Sequence, residues 1–154
     1  GLACLQRYGL AYDILVFPRH LSNTIQLVSQ FPGQVFILDH IAKPFIRDGV
    51  ISPWKEDIER LAGLRNVWCK LSGMVTEANV KSWRQDDLMP YLDVVFNVFG
   101  TDRLLAGSDW PVCRLAGSYK QVMQVVMDYT RTMPDEERNK ILGENAMKAY
   151  GLLL

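Results

Sequence analysis

A chain of 154 residues, 49% apolar and 22% charged, can bury one sizeable core, which makes a single globular domain the expectation. Its 17 Lys and Arg balance its 17 Asp and Glu, so no basic surface marks it for nucleic acid or for a membrane face. No apolar run reaches the roughly 18 residues that a membrane span needs. Three cysteines, Cys4, Cys69 and Cys113, stand far apart without a CxxC pair or a metal-ligand spacing. With no signal-peptide features at the start, they point to reduced thiols in the cytoplasm.

The chain opens on Gly1, without an initiator Met, in what reads as mid-helix. A fragment or a processed product is the expectation. The first β-rich run is YDILVF (12–17), bounded by Pro18. Leu21, Ile25, Val28 and Phe31 then recur at helical spacing, with Ser22 and Asn23 as candidate caps. QVFILDH (34–40) is the second strand. Ser52-Pro53 reads as a cap followed by proline at the first helical position, ahead of a face carrying Trp54, Ile58 and Leu61. NVWCKLS (66–72) is the third strand. Asp86 or Asp87 starts a helix with a stripe of Leu88, Leu92, Val95, Phe96 and Phe99, Pro90 in its first turn and Gly100 as its stop. DRLLAGS (102–108) is the fourth strand. Tyr119, Val122, Met123 and Val126 mark another helix, and a last one runs from near Thr132–Pro134 to Gly151.

Strands alternating with helices imply right-handed βαβ units and a parallel sheet, hence an α/β fold. Two architectures fit: half of a (βα)8 barrel, or a small doubly wound sheet. In both, ligands sit at the carboxyl ends of the strands. There the sequence places Pro18-Arg19-His20, Asp39-His40 with Lys43 beyond, Lys70 and Ser72, and Ser108-Asp109-Trp110. Strand alternation groups Phe36, Leu38 and His40 on one face, Trp68, Lys70 and Ser72 on another, and Leu105, Gly107 and Asp109 on a third. If those faces line one barrel, His40, Lys70 and Asp109 converge at its mouth. A carboxylate there can act as general base toward water, and an imidazole can polarise a carbonyl or bind a metal. The competing readings are structural: Asp109 as a turn or cap residue, His40 and His20 as satisfied histidines, Lys70 snorkelling to solvent, and Lys43 a surface charge. Trp54, Trp68 and Trp83 read as packing residues.

ILDHIAKP (37–44), VWCKLSGMVTEA (67–78) and RLLAGSDWPVC (103–113), in that order and spacing, resemble the amidohydrolase-related family. Within it they are similar to the branch of sugar-lactone and dicarboxylate-lactone hydrolases. GENAMKAYGL (143–152) resembles that family's closing helix. The resemblance implies that residues 1–154 are the C-terminal half of a (βα)8 TIM barrel, strands five to eight plus the closing helix, with the N-terminal half missing. It implies a catalytic Asp109 that activates water and a catalytic His40 aimed at the substrate carbonyl or at a metal. Lys70, Ser72 and Trp110 match positions at the pocket mouth and are expected to bind substrate. The family's His-x-His pair, at the end of its first strand, is not in this sequence, which has two His in all. With His40 and Asp109 as the only matching metal ligands, the expectation is one divalent ion such as zinc, or none.

The implied activity is hydrolysis of a cyclic ester by the complete parent, and an inactive fragment when the half stands alone. The implied partners are a small-molecule substrate and either the missing half or an oligomeric partner that closes the barrel. Two alternatives remain open: other chemistry of the same fold, such as decarboxylation or hydration of a small acid, and a catalytically inactive half-barrel that serves as a binding partner.

Overall fold

The computed structural model describes residues 1–152. Helix α1 (Leu2–Arg7) leads into strand β1 (Tyr12–Ile14), and α2 (Leu21–Ser29) into β2 (Phe36–Leu38). Then come α3 (Trp54–Ala62), β3 (Val67–Leu71), α4 (Met74–Glu77), α5 (Gln85–Phe99), β4 (Leu104–Ala106) and α6 (Tyr119–Tyr129). The closing segment comprises α7 (Asp135–Asn139), a π-helical turn over Lys140–Glu144, and α8 (Asn145–Tyr150). The four strands form one parallel sheet in the order β1-β2-β3-β4, in the register Tyr12↔Phe36, Phe36↔Val67 and Cys69↔Leu104. A doubly wound sheet reverses its strand order at a switch point. This order never reverses, so the fold is the half-barrel. No helix among the described residues is long and apolar enough to cross a membrane.

The sheet buries both faces. Phe36, Leu38, Cys69, Leu71 and Leu104 turn outward to the helices and join the main core with Leu21, Ile58, Leu92 and Val126. Ile37, Trp68 and Leu105 turn inward and pack against Ala146, Ala149 and Tyr150 of α8. This corrects the alternation expected for the second strand: Ile37, not Phe36 and Leu38, carries the inner face. Burial of each such side chain is worth about 1.5–3 kcal/mol, so the closing helix is an integral part of the sheet's stability.

The helix boundaries differ from expectation in three places. Helix α2 begins at Leu21, with His20 at the cap position, so Ser22 and Asn23 lie inside its first turn. Pro53 stands at the cap position of α3 instead of the first helical position, and Ser52 makes no cap hydrogen bond. Helix α5 begins at Gln85, where Asp87 Oδ2 accepts from the Arg84 amide at 2.8 Å. That start puts Pro90 beyond the first turn, inside the helix. The stops at Gly100 (φ 63°) and Gly151 (φ 63°) fall where glycine frees the backbone to enter positive φ.

Candidate active site

All four strands point their carboxyl ends the same way, and the loops that follow them carry the site. After Leu38 the chain leaves the extended region abruptly. His40, Ile41, Ala42 and Lys43 follow one another at φ 55°, 47°, 62° and 51°. Left-handed backbone is unfavourable for any residue with a Cβ and most so for a β-branched one such as Ile41. The turn is held in place by the core: Ile41 and Ala42 are fully buried, and the buried Trp54 indole donates to the Ile41 carbonyl at 2.8 Å. The Lys43 amide donates to the His40 carbonyl at 2.8 Å. Trp54 is thus a packing residue, as expected, with the added task of securing a strained turn.

The consequence is the aim of His40. Its Nδ1 lies 2.8 Å from Ser72 Oγ at the end of β3, and its Nε2 lies 3.6 Å from Asp109 Oδ1 beyond β4. Both side chains are largely buried, 15% exposed for His40 and 12% for Asp109. Two glycines make the room. A Cβ on Gly73, itself at φ +64°, would stand 2.6 Å from the His40 ring, and one on Gly107 would stand 3.2 Å from the Ser72 Cβ. Asp109 is also left-handed, at φ 55°, and its carbonyl accepts from the Cys113 amide at 2.8 Å. It is therefore a turn residue whose side chain is turned onto the imidazole.

Burial lowers the His40 pKa; Asp109 and Asp39 oppose that effect, while Lys43 and Lys70 reinforce it. The ring is therefore neutral at pH 7. The Asp109 side chain faces Nε2, so the tautomer that suits this neighbour carries its proton there. Nδ1 is then an acceptor, and the Ser72 hydroxyl donates to it. Ser72, 2% exposed, presents its oxygen to His40 and not to the solvent side of the site.

Lys70 goes elsewhere. Its Nζ donates to Asp13 Oδ2 at 2.8 Å and lies 2.8 Å from Asp39 Oδ1, outside hydrogen-bonding alignment with the latter. Tyr150 of α8 donates to both oxygens of Asp13, and Lys70 Nζ stands 5.5 Å from its ring. Burial by itself lowers the Lys70 pKa, but the neighbouring carboxylates of Asp13 and Asp39, with the Tyr150 hydroxyl, outweigh it and raise the value. Lys70 is a charged tie between β1, β2 and β3. Asp13 and Asp39 were not singled out from sequence; Asp39 was legible only as the neighbour of His40. Lys43 is no free surface charge, because its Nζ pairs with Glu77 at 2.7 Å and is mostly buried. His20 closes a local turn, its Nδ1 accepting from the Phe17 amide at 3.2 Å. Trp110 stands at the rim, 63% exposed.

Among the described residues, no three His, Cys, Asp or Glu side chains converge as a metal-ligand set. His40 and Asp109 supply two donors, which is half of what a tetrahedral zinc site needs. The chain's own residues therefore do not make up a metal site.

With this geometry in view, the comparisons with known proteins are informative. The amidohydrolase family model matches residues 1–152. The chain is 36% identical over 162 residues to the L-fucono-1,5-lactonase of Burkholderia multivorans, covering 99% of this chain and 55% of that protein. It is 43% identical over 150 residues to the L-fucono-1,5-lactonase of Burkholderia ambifaria, covering 93% of this chain and 50% of that one. The chain thus spans about half the length of these curated relatives. A crystal structure of a Burkholderia multivorans amidohydrolase with bound zinc superposes with a TM-score of 0.93 at 36% identity, over 99% of this chain and 56% of that one. The chain belongs to the amidohydrolase family.

Proposed function

We infer that this chain is the C-terminal half, strands five to eight, of an amidohydrolase-type barrel that hydrolyses a cyclic ester, with a sugar lactone as substrate. The observation that carries the reading is the contact between His40 and Asp109. Two strands that are not neighbours in the sheet, β2 and β4, deliver a neutral imidazole and a carboxylate to within 3.6 Å of each other. The names of the relatives supply the substrate class. The other half of the barrel closes the open edges of β1 and β4. Three free cysteines, two of them buried, support a reducing compartment such as the cytoplasm.

The chemistry needs two proton transfers and one hydrogen-bond donor. Asp109 accepts a proton from water as its oxygen bonds to the lactone carbonyl carbon. The Nε2–H of His40 donates a hydrogen bond to the oxyanion that forms there. The ring C–O bond then breaks, and the proton held by Asp109 passes to the departing ring oxygen. The product is a hydroxy acid that ionises at neutral pH. Ser72 acts through His40 by fixing its tautomer, and Lys70 acts through Asp39 by holding the strand end from which His40 springs.

A direct test completes the barrel. This chain replaces the matching half of the Burkholderia multivorans lactonase, and acid release is followed with L-fucono-1,5-lactone. Opening of the lactone is expected. A folded chimera that leaves lactones intact while decarboxylating small acids would refute the reading.

A further inference from the structure

The loop after Asp109 folds over a recess of ≈ 390 Å³ lined by Trp110, Arg114, Gly117, Ser118 and Tyr119. That volume lies within the range of small-ligand sites. Other recesses, of ≈ 390 and ≈ 410 Å³, lie between the loops that follow β2 and β3; none of the three linings includes His40 or Asp109, and this one includes Trp110, the residue after Asp109. This recess differs from them in its lining, which carries two exposed aromatic rings and one cation.

Its walls are two large aromatic rings that the fold leaves in water, Trp110 at 63% and Tyr119 at 56% exposed. Exposed rings of this size that share one concavity mark a contact surface. The floor is Gly117, where a Cβ would already be in van der Waals contact with Gln121 and Trp83. Ser118 is committed to α6, since its Oγ accepts from the Gln121 amide at 3.2 Å and donates to Gln121 Oε1 at 2.9 Å. Arg114 is therefore the one charged group in the lining. Among the described residues it forms no ion pair with any carboxylate, whereas Lys43 and Lys70 at the neighbouring strand ends are each neutralised by one or two. A guanidinium without a carboxylate partner, in a lining shared with two exposed aromatic rings, suits a carboxylate borne on a chain whose C–H groups can lie against the rings.

We propose that this recess is a product site, which takes the ring-opened hydroxy acid by its carboxylate on Arg114 and by its carbon chain between Trp110 and Tyr119. The inference rests on the lactonase reading for the nature of the acid, but the site itself stands on the recess. Hydrolysis at the carbonyl next to Asp109 creates a carboxylate that the ester lacked. A cation in the loop that follows Asp109 then favours product over substrate.

The test uses the 154-residue chain and its tryptophan emission, with Trp54 and Trp68 buried and Trp83 half-buried, so that the part of the signal lost in Trp110→Phe reports on Trp110. L-fuconate is titrated, with L-fucose as a polyol lacking the carboxylate and acetate as a carboxylate lacking the polyol. Saturable quenching by L-fuconate is expected, at least ~10-fold weaker for L-fucose, which loses the charge-assisted hydrogen bond, and at least ~10-fold weaker for acetate, which loses the carbon chain against the rings. Arg114→Ala should weaken L-fuconate binding to the level of L-fucose, Arg114→Lys should fall between, and Trp110→Phe should remove the signal while leaving near-UV circular dichroism of the core intact. Absence of saturable quenching up to the solubility of L-fuconate overturns the proposal, as does equal affinity in Arg114→Ala and the parent chain. Binding that survives in a chimera unable to open lactones would leave the site standing and remove the lactonase reading. Lactone opening without L-fuconate binding would do the reverse.

Discussion

Gly73 has no side chain because the His40 ring occupies the space where one would go, 2.6 Å from an ideal Cβ. Gly73→Ala therefore has to push the ring off Ser72 as well as hold a residue with a Cβ at φ +64°. The expected loss is about 1–3 kcal/mol of stability. In a completed barrel, kcat should fall by more than KM changes, because a displaced imidazole no longer reaches the oxyanion. Chemical denaturation and steady-state kinetics of the same variant check both statements. Of the three side chains expected to converge, His40 and Asp109 meet, joined by Ser72 from the same strand end as Lys70, while Lys70 turns to Asp13 and Asp39. The sequence did not offer the reason they meet. A run of four left-handed residues, two of them buried apolar side chains, has no local signature, since propensity argues against each of them.

At the scale of elements, the closing helix and the sheet's inner face depend on each other. Asn145, 4% exposed, donates through its amide to the Thr101 and Leu104 carbonyls, both at 2.8 Å, and so ties α8 to the start of β4. Asn145→Ala leaves both carbonyls without that donor and should cost about 2 kcal/mol, read as a lower denaturation midpoint with an unchanged slope. Lys70 makes the corresponding tie across β1, β2 and β3. Its folded pKa is raised, so its contribution is fully present below the ordinary value of 10.5 and is lost as pH climbs above it. The stability gap between the parent chain and Lys70→Met should therefore be flat below pH 10.5 and narrow above it. A gap that widened with alkali would contradict the ion cluster. The sequence placed all four strands and the longer helices in their order because their apolar periods differ, while it missed the short α4 and misjudged the starts of α2, α3 and α5. It missed the partner choice of Lys70, because Asp13 is 57 residues away and nothing local links the two.

The whole molecule is half of a closed design. Its four strands are parallel and consecutive, its helices cover the outer face, and α8 covers the inner face. Motifs that are weak singly became decisive in register, which is why the family and the half-barrel were readable before any coordinates. The inward direction of β2 was not, because counting alternate residues from His40 fails where the strand ends in a left-handed turn. The account stands on Asp109 as the base that activates water. The most direct measurement is kcat for lactone opening by the barrel-completed chain and by its Asp109→Asn variant at the same pH. The account predicts a loss of at least ~100-fold with the fold retained, since an amide cannot take a proton from water. An Asp109→Asn barrel that turns over at the parent rate would contradict it.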